Sequence, residues 1–336
     1  MAKAKVAING MGRIGRAALK IILGTPELQL VAVNDLMPID NLVYLLRYDT
    51  VYGRYEKKVE GQGNVLAVDG KEYQFFSERD PAKLPWGELG VDIVFECTGA
   101  FTRNPDLEKH LEAGAKTVIL SAPPKDETVC CIVHGVTQPE GGVRILSCAS
   151  CTTNCITPVV EVMGRRIGIK KAIMTTIHAY TSSQAIVDGP NKKFRRGRAG
   201  AANFVPTSTG AAVATTNCLP QYKGKFDGVA VRGPVPSGSM ADIVFLTERP
   251  TTVEEVQNIF REEAASPRYQ GILGVAEDPI VSSDVIGDPR ASIVDLEMTQ
   301  VVDGDLVKVM SWYDNEWGYT SQMIREAVRL AREGLG

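Results

Sequence analysis

Short hydrophobic runs rich in β-branched residues alternate with helical stretches through the first half of the chain. Residues 13–23 carry hydrophobic positions at helical spacing, and Gly24 and Pro26 would end that helix. Near-continuous hydrophobic strands joined through helices are typical of a parallel sheet covered on both faces. This pattern predicts a doubly wound α/β domain with strands at residues 5–9, 29–34, 91–97, 116–121, 128–133 and 143–148.

After Ser150 the strands become longer and the order of elements changes. Asp303-Gly304 is a tight-turn signal that predicts a hairpin. The second half is therefore predicted to be an α+β domain, with a largely antiparallel sheet and helices on one side. We expect residues 1–150 to form the first domain, completed by a terminal helix at 316–336, and residues 151–315 to form the second. Its predicted helices cover 152–166 and 253–265, and its strands cover 170–178, 226–233, 240–247, 296–302 and 305–312.

Composition and charge exclude several classes of protein. The 336 residues carry 37 Lys plus Arg against 40 Asp plus Glu, so no global positive field favours nucleic acid as the main partner. No run reaches the roughly 18 hydrophobic residues that cross a bilayer. An odd number of cysteines, seven, suits a reducing compartment. These features predict a cytoplasmic protein with no membrane and no primary nucleic-acid role.

A glycine-rich motif connects the first predicted strand to the first predicted helix. Gly10 would make the tight turn, Gly12 would let a pyrophosphate approach the helix N-terminus, and Gly15 would allow close packing of helix on strand. Asp35 ends the next strand, where a carboxylate would bind the ribose hydroxyls. Together these features predict a Rossmann-type NAD site, and the carboxylate disfavours the 2′-phosphate of NADP.

Thiol chemistry is predicted where the first half meets the second. Cys151 would lie in the first turn of a helix, where backbone amides and the helix dipole favour the thiolate. His178 ends a strand among threonines and is the candidate base. The other two histidines, His110 and His134, are interpreted as structural or solvated.

Two other interpretations of the cysteines were weighed. The spacing of Cys148, Cys151 and Cys155 resembles that of metal or cluster ligands, but no fourth ligand has compatible spacing. Cys148 and Cys151 also have the spacing of a redox pair, which would need a thioredoxin-like context that is missing. No metal is therefore predicted.

The second half also carries candidate anion-binding groups. Residues 192–198 form a basic run inside the long polar stretch 184–202, and a solvated loop or a subunit contact would explain that run alone. Arg232 interrupts a hydrophobic strand, where a guanidinium needs an anionic partner. These groups and nearby hydroxyls suit two phosphate sites.

Along nearly its whole length the sequence resembles the phosphorylating glyceraldehyde-3-phosphate dehydrogenases of bacterial type. The resemblance implies that Cys151 adds to the aldehyde of glyceraldehyde 3-phosphate and that His178 is its base and later its acid. A thiohemiacetal would become a thioester as NAD is reduced, and inorganic phosphate would release 1,3-bisphosphoglycerate. The motifs that carry the resemblance are residues 8–16, 150–155, 176–181 and 312–319.

The same resemblance implies roles for further residues. The family is usually a homotetramer whose long loop, here about residues 180–203, lies at a subunit interface. Thr181 and Arg232 would bind the substrate phosphate. Inorganic phosphate would be bound by Ser150, Thr152, Arg196, Thr209 and Gly210, and NAD by Arg13, Ile14, Asp35, Arg79, Ser121 and Asn315.

Some alternatives stay open on the sequence. Gly189, Ser183 and Val213 stand where the family commonly has Leu, Asp and Lys, which leaves use of NADP open. A relative acting on erythrose 4-phosphate shares the cysteine and histidine motifs, although Thr181 and Thr209 match the glyceraldehyde phosphate type. A non-phosphorylating aldehyde dehydrogenase and a catalytically idle binding protein are the competing functions.

Overall fold

The computed structural model describes residues 3–139 and 141–334, and the chain divides into two compact units. The first unit holds the chain up to Ile132, the segment Gln138–Ala149 and the chain from Met323 onward. The second unit holds Val133–Thr137 and Ser150–Gln322. The domain boundaries near residues 150 and 316 that the sequence suggests stay predictions.

The first unit contains a mixed sheet whose neighbouring strands run in the order β10-β11-β9-β8-β1-β2-β7-β6-β5. The pairs from β10 to β7 are parallel, and β7, β6 and β5 pair antiparallel. The strands are β1 (Ala4–Asn9), β2 (Leu28–Asn34), β3 (Tyr48–Asp49), β4 (Gly53–Arg54), β5 (Val59–Gln62), β6 (Val65–Val68), β7 (Lys71–Phe76), β8 (Ile93–Glu96), β9 (Thr117–Leu120), β10 (Cys130–Cys131) and β11 (Ile145–Ser147); β3 and β4 pair only with each other among the described residues. The helices are α1 (Arg13–Ile22), α2 (Ile39–Arg47), α3 (Trp86–Leu89) and α4 (Asn104–Glu112), with a 3-10 turn at Pro81–Lys83.

The parallel core of this sheet confirms the doubly wound prediction. The central strands β1, β8 and β9 are buried almost throughout, as expected for strands covered on both faces. The strand predicted at residues 128–133 is only two residues long. Turns lie on both sides of it. In the turn before it, the Asp126 carboxylate accepts hydrogen bonds from the Thr128 backbone amide and hydroxyl. In the turn after it, the Val133 amide donates to the Thr137 hydroxyl.

The second unit contains a sheet in the order β13-β14-β12-β15-β18-β17-β16, antiparallel except for the pairs β12–β14 and β16–β17. This confirms the predicted α+β architecture. The strands are β12 (Ile169–Ala179), β13 (Val205–Ser208), β14 (Phe226–Gly233), β15 (Ser239–Thr247), β16 (Leu273–Ala276), β17 (Ser292–Val302) and β18 (Leu306–Tyr313). The helices are α5 (Cys151–Arg166), α6 (Ala211–Cys218) and α7 (Val253–Ala265), and α8 (Trp317–Glu333) runs from this unit into the first; 3-10 turns lie at Phe194–Gly197, Gly200–Ala202 and Pro220–Tyr222.

Helices α5 and α7 pack on one face of this sheet and bury its hydrophobic core. The hairpin between β17 and β18 turns at Asp303 and Gly304, whose φ angles of 50° and 78° are those of a tight hairpin turn. On the sheet, Ile173 and Val229 are 63% and 54% exposed. The second unit therefore leaves hydrophobic strand residues uncovered.

Candidate active site

Cys151 is the first residue of α5, in the position that the sequence predicts. Ser150 caps the helix, because its Oγ accepts a hydrogen bond of 3.1 Å from the Thr153 amide. The side chain of Cys151 is half-buried, and a hydrogen bond from the Thr152 amide favours the ionised form of its sulfur. The helix start thus supplies amide donors around the sulfur.

The structure brings His178 to Cys151. His178 lies near the end of β12 and is 5% exposed, and its Nε2 lies 3.4 Å from Cys151 Sγ. A proton can therefore pass directly between the thiol and the imidazole. The nucleophile and base proposed from sequence are adjacent although 27 residues separate them.

Other side chains fix the orientation of the imidazole. Its Nδ1 lies 2.7 Å from the Ala179 carbonyl oxygen and 2.6 Å from Nη1 of Arg232. These contacts need different protonation states, since Nδ1–H donates to a carbonyl but only a bare Nδ1 accepts from a guanidinium. The Tyr313 ring meets the imidazole edge-on, with ring centroids 6.0 Å apart.

Tyr313 also connects α5 to β12 through hydrogen bonds. Its hydroxyl lies 2.8 Å from the hydroxyls of both Thr152, in α5, and Thr176, in β12. These hydrogen bonds hold the two elements that carry Cys151 and His178 in a fixed relation. No sequence pattern assigns a role to Tyr313 or Thr176, although they lie within the motifs at residues 312–319 and 176–181.

The pKa shifts of Cys151 and His178 differ from the sequence-based expectation, in which the start of the helix alone stabilises the thiolate. Burial raises the pKa of the Cys151 thiol, while the Arg232 charge and hydrogen bonds from Thr152 act in the opposite direction. Burial, and then the positive charge of Arg232, lowers the pKa of His178 to about 3. Burial therefore favours a neutral thiol beside a neutral imidazole, and the Arg232 charge disfavours a proton on the imidazole while it favours the thiolate.

Arg232 is the best-placed anion-binding group near the pair. Its Nη1 also donates to the Ala179 carbonyl at 3.0 Å, and its Nε is buried with no hydrogen-bond partner among the described residues. Burial lowers the pKa of Arg232. A half-buried guanidinium with an unused Nε donor fits an incoming anion such as a phosphate.

A second set of candidate anion-binding residues is linked by hydrogen bonds. The Ser183 hydroxyl lies 2.8 Å from that of Thr181 and accepts at 3.3 Å from Nη1 of Arg196. Arg196 is close enough for its charge to lower the pKa of His178. Thr209 and Gly210 precede α6, and the Thr209 hydroxyl accepts from the Ala211 amide at 3.2 Å.

Asn315 is held by two serines. The Ser239 hydroxyl donates to its Oδ1 at 2.8 Å and accepts from the Ala179 amide at 3.0 Å. The Ser237 hydroxyl lies 3.5 Å from the same Oδ1 and donates to Asp314 at 3.1 Å. Ser239 therefore connects the backbone beside His178 to Asn315, a link that no sequence motif revealed.

In the first unit, the glycines of the loop between β1 and α1 have distinct surroundings. A Cβ on Gly10, whose φ is 95°, would lie 2.6 Å from the Thr98 nitrogen, and a Cβ on Gly15 would lie 1.9 Å from the Gly10 oxygen. A Cβ on Gly12 would meet nothing within 4 Å. Gly10 and Gly15 are thus required by packing, whereas Gly12 borders open space at the start of α1.

Gly10 and Gly12 line a cavity of about 360 Å³ together with Asp35 and Arg79. The Asp35 carboxylate accepts from the amides of Met11 and Met37, at 2.6 and 2.8 Å. The structure therefore brings four of the predicted NAD-binding residues to one cleft.

Three other predicted NAD-binding residues have different surroundings. The Arg13 side chain pairs with Asp49 at 2.6 Å. Ile14 is half-buried in the first turn of α1, and the Ser121 amide donates to the Glu96 carbonyl. None of the three contributes to the lining of the Gly10–Asp35 cleft.

Known protein families match both halves of the chain. Residues 4–104 match the family model for the glyceraldehyde 3-phosphate dehydrogenase NAD binding domain, and residues 150–315 match the model for the C-terminal domain. The chain belongs to the glyceraldehyde-3-phosphate dehydrogenase family. The resemblance predicted from sequence is confirmed, as is the NAD-binding character of the first half.

Individual glyceraldehyde-3-phosphate dehydrogenases align along the whole chain. Glyceraldehyde-3-phosphate dehydrogenase 1 of Bacillus subtilis is 48% identical over 98% of this chain and 99% of its own length. The enzyme of Geobacillus stearothermophilus gives the same values, and glyceraldehyde-3-phosphate dehydrogenase 2 of Streptomyces avermitilis is 48% identical over 95% of this chain and 96% of its own length.

The remaining sequence-based alternatives were compared with the structure. No disulfide bond joins any of the seven cysteines, all of which lie in the described residues. No group of three His, Cys, Asp or Glu side chains in residues 3–139 and 141–334 could hold a metal ion. Among the helices within those ranges, none is long and hydrophobic enough to cross a bilayer.

Proposed function

We propose that this chain catalyses the phosphorylating oxidation of D-glyceraldehyde 3-phosphate to 1,3-bisphosphoglycerate with reduction of NAD. The observation that carries the proposal is the 3.4 Å approach of Cys151 Sγ to His178 Nε2 beside the half-buried Arg232, in a chain of this family. The reaction belongs to the glycolytic and gluconeogenic interconversion of triose phosphates.

The residues of the first unit fit NAD. The open space beside Gly12, at an N-terminus of α1 that no side chain caps, suits a pyrophosphate. Asp35 has acceptor capacity left for the ribose hydroxyls, and its charge disfavours a 2′-phosphate. When bound, NAD supplies the acceptor for the hydride.

The first step makes a bond to Cys151. The Sγ proton passes to Nε2 of His178 as sulfur adds to the aldehyde carbon, and the carbonyl π electrons move to oxygen. The Cys151 amide and the protonated imidazole stabilise that oxyanion, and the imidazolium then gives its proton to form the thiohemiacetal.

Arg232 couples phosphate binding to this step. A substrate phosphate that draws the guanidinium away from Nδ1 removes the contact that forbids a proton there. Nδ1–H can then donate to the Ala179 carbonyl, 2.7 Å away, which supports the imidazolium. Thr181 would share the substrate phosphate with Arg232.

The later steps break the bond to Cys151. His178 takes the hydroxyl proton while the carbon gives up its hydride, which leaves a thioester. An oxygen of inorganic phosphate attacks the thioester carbon, and the C–S bond breaks to release the acyl phosphate and the Cys151 thiolate. Inorganic phosphate would be bound by Ser150, Thr152, Arg196, Thr209 and Gly210.

Each half of the chain has a separate task in this proposal. Residues 1–150, completed by the terminal helix, bind NAD. Residues 151–315 hold the reacting groups, with the Asn315 amide reserved for the nicotinamide carboxamide. The orientation of that amide, fixed by Ser239, supports this assignment.

We also propose a cytoplasmic homotetramer. The odd number of cysteines, seven, supports a reducing compartment. Uncovered hydrophobic residues of the second unit, including Ile173, Val213 and Leu306, line a cavity of about 720 Å³ and suit burial against another subunit. The exposed Ile186 and Phe194, in the long loop, support a second subunit contact.

The proposal is tested by steady-state rates with NAD and NADP, each with and without phosphate. We expect NADH formation that requires both glyceraldehyde 3-phosphate and phosphate, and that disappears in Cys151→Ser. Sustained turnover without phosphate would instead identify a non-phosphorylating aldehyde dehydrogenase.

A further inference from the structure

A row of buried polar side chains follows the carboxyl ends of neighbouring parallel strands in the first unit. Glu96 ends β8, Asn9 ends β1 and Asn34 ends β2, and these strands are adjacent in the sheet. Glu96 is completely buried, as is His110 of α4, which contacts it. The proposed mechanism uses none of these side chains.

The hydrogen bonds fix which nitrogen of His110 carries the proton. The indole N–H of Trp86 lies 3.0 Å from His110 Nδ1, and an indole nitrogen can only donate. His110 Nδ1 must therefore be a bare acceptor, and the proton of the neutral ring lies on Nε2. That Nε2–H points at the Glu96 carboxylate, 3.1 Å away.

The Glu96 carboxylate accepts hydrogen bonds from four donors. Besides His110, the Asn9 amide nitrogen donates to the carboxylate at 2.5 Å and the Thr98 backbone amide donates at 2.8 Å. The Thr98 hydroxyl donates to the same carboxylate. Every donor is neutral, so the carboxylate is held by geometry and not by an opposite charge.

Asn9 extends this hydrogen-bond network toward the residues that follow the next two strands of the sheet, β2 and β7. Its Oδ1 accepts from the Asn34 amide nitrogen at 2.7 Å. Asn34 in turn makes two hydrogen bonds of 2.9 Å with the backbone of Glu78, one to its carbonyl and one from its amide. One continuous path of hydrogen bonds therefore runs from Trp86 to the residue before Arg79.

This path lies beneath the NAD cleft. Asn9, Asn34, Glu78 and Thr98 belong to the cavity lining, and the residues that follow the first three are Gly10, Asp35 and Arg79. We propose that Glu96 and His110 are positioning residues for the dinucleotide, which set the relative placement of these three NAD-binding residues. The inference rests on the proposed function, because it assumes that this cleft binds NAD.

Two substitutions of His110 by neutral amides, Gln and Asn, distinguish a positioning role from a role in packing alone. The amide nitrogen of Gln reaches the place of imidazole Nε2 and can donate to Glu96, whereas the shorter Asn reaches only the place of Nδ1. We expect His110→Gln to keep the dissociation constant for NAD within about twofold of wild type. His110→Asn should raise it about tenfold, the cost of one hydrogen bond to a charged group.

The readout is the equilibrium binding of NAD to apo protein by titration calorimetry, with thermal unfolding measured on the same samples. Equal NAD affinities in two folded variants would overturn the inference, even if both were less stable than wild type. Wild-type protein that fails to bind NAD would refute the proposed function instead.

A measurement on the wild-type protein keeps the test valid if His110→Asn does not fold. Nitrogen NMR should show the His110 ring, assigned by the loss of its signals in His110→Gln, with its proton on Nε2 at neutral pH. A ring at position 110 with its proton on Nδ1 would break the path of hydrogen bonds and contradict the inference.

Discussion

At the scale of single residues, Cys151 and His178 are best understood as one ionising unit. Each environment taken alone favours the neutral form, since burial raises the pKa of the thiol and lowers that of the imidazole. Their separation of 3.4 Å lets one proton transfer create both charges at once, so that each charge stabilises the other. Nucleophilicity then depends on the base and not on the helix start alone.

Substitution of the base tests this view. In His178→Asn, Cys151 becomes a lone buried thiol with a raised pKa, so its thiolate is present only as the pH rises past the ordinary thiol range. We expect alkylation of Cys151 by iodoacetamide at pH 7 to slow about 100-fold, and the remaining rate to climb with pH. An unchanged rate and pH profile would show that the imidazole does not activate the sulfur.

Some parts of the site could be predicted residue by residue and others could not. The Cys151 motif and the strand before His178 are local patterns, and both lie where the sequence predicts. Ser239, Tyr313 and Glu96 act through hydrogen bonds to residues far away in the chain. Such contacts depend on three-dimensional packing, which no local pattern reports; the catalytic and binding roles themselves stay predictions.

At the scale of elements, the entry into α1 shows how one loop combines packing and ligand binding. Gly15 brings the helix onto the Gly10 carbonyl, whereas Gly12 borders open space. Within four residues, Gly15 is therefore required for packing of the helix, whereas Gly12 leaves room for a ligand.

Alanine substitutions at Gly15 and Gly12 should affect different properties, stability for Gly15 and NAD binding for Gly12. Gly15→Ala places a Cβ 1.9 Å from the Gly10 oxygen, and we expect it to destabilise the first unit by about 3 kcal/mol. Gly12→Ala, as the matched control, should cost about 1 kcal/mol or less but should weaken NAD binding because its methyl group projects into the cleft. Thermal unfolding and NAD titration of both variants measure the two effects. A Gly15→Ala protein as stable as Gly12→Ala would contradict the packing argument.

Elements with a clear hydrophobic period were predicted well. The boundaries of α7 at Val253–Ala265 and β14 at Phe226–Gly233 agree with the sequence-based ranges, and the turn at Asp303 and Gly304 joins β17 to β18. Helix α6, with alanines and threonines and no polar face, gave no signal. Its place is set by packing against α5 and β14, which the sequence pattern does not contain.

At the scale of the whole molecule, the proposed homotetramer would bury the uncovered hydrophobic residues of the second unit. Ile173→Glu places a charge among them, and we expect the tetramer to dissociate into smaller species. Val253→Glu, an equally polar change at the first turn of α7, should leave assembly intact, because an acidic residue is favourable there. Sedimentation velocity distinguishes these outcomes. An Ile173→Glu protein that still sediments as a tetramer would exclude this surface as a subunit contact.

In the proposed mechanism, Cys151 holds a thioester that only phosphate releases efficiently. Rapid mixing of protein, glyceraldehyde 3-phosphate and NAD without phosphate measures this directly through NADH absorbance. We predict a burst of about one NADH per Cys151 followed by a near halt, and resumed turnover when phosphate is added. A burst that is absent, or a phosphate-free rate equal to the rate with phosphate, would contradict the account.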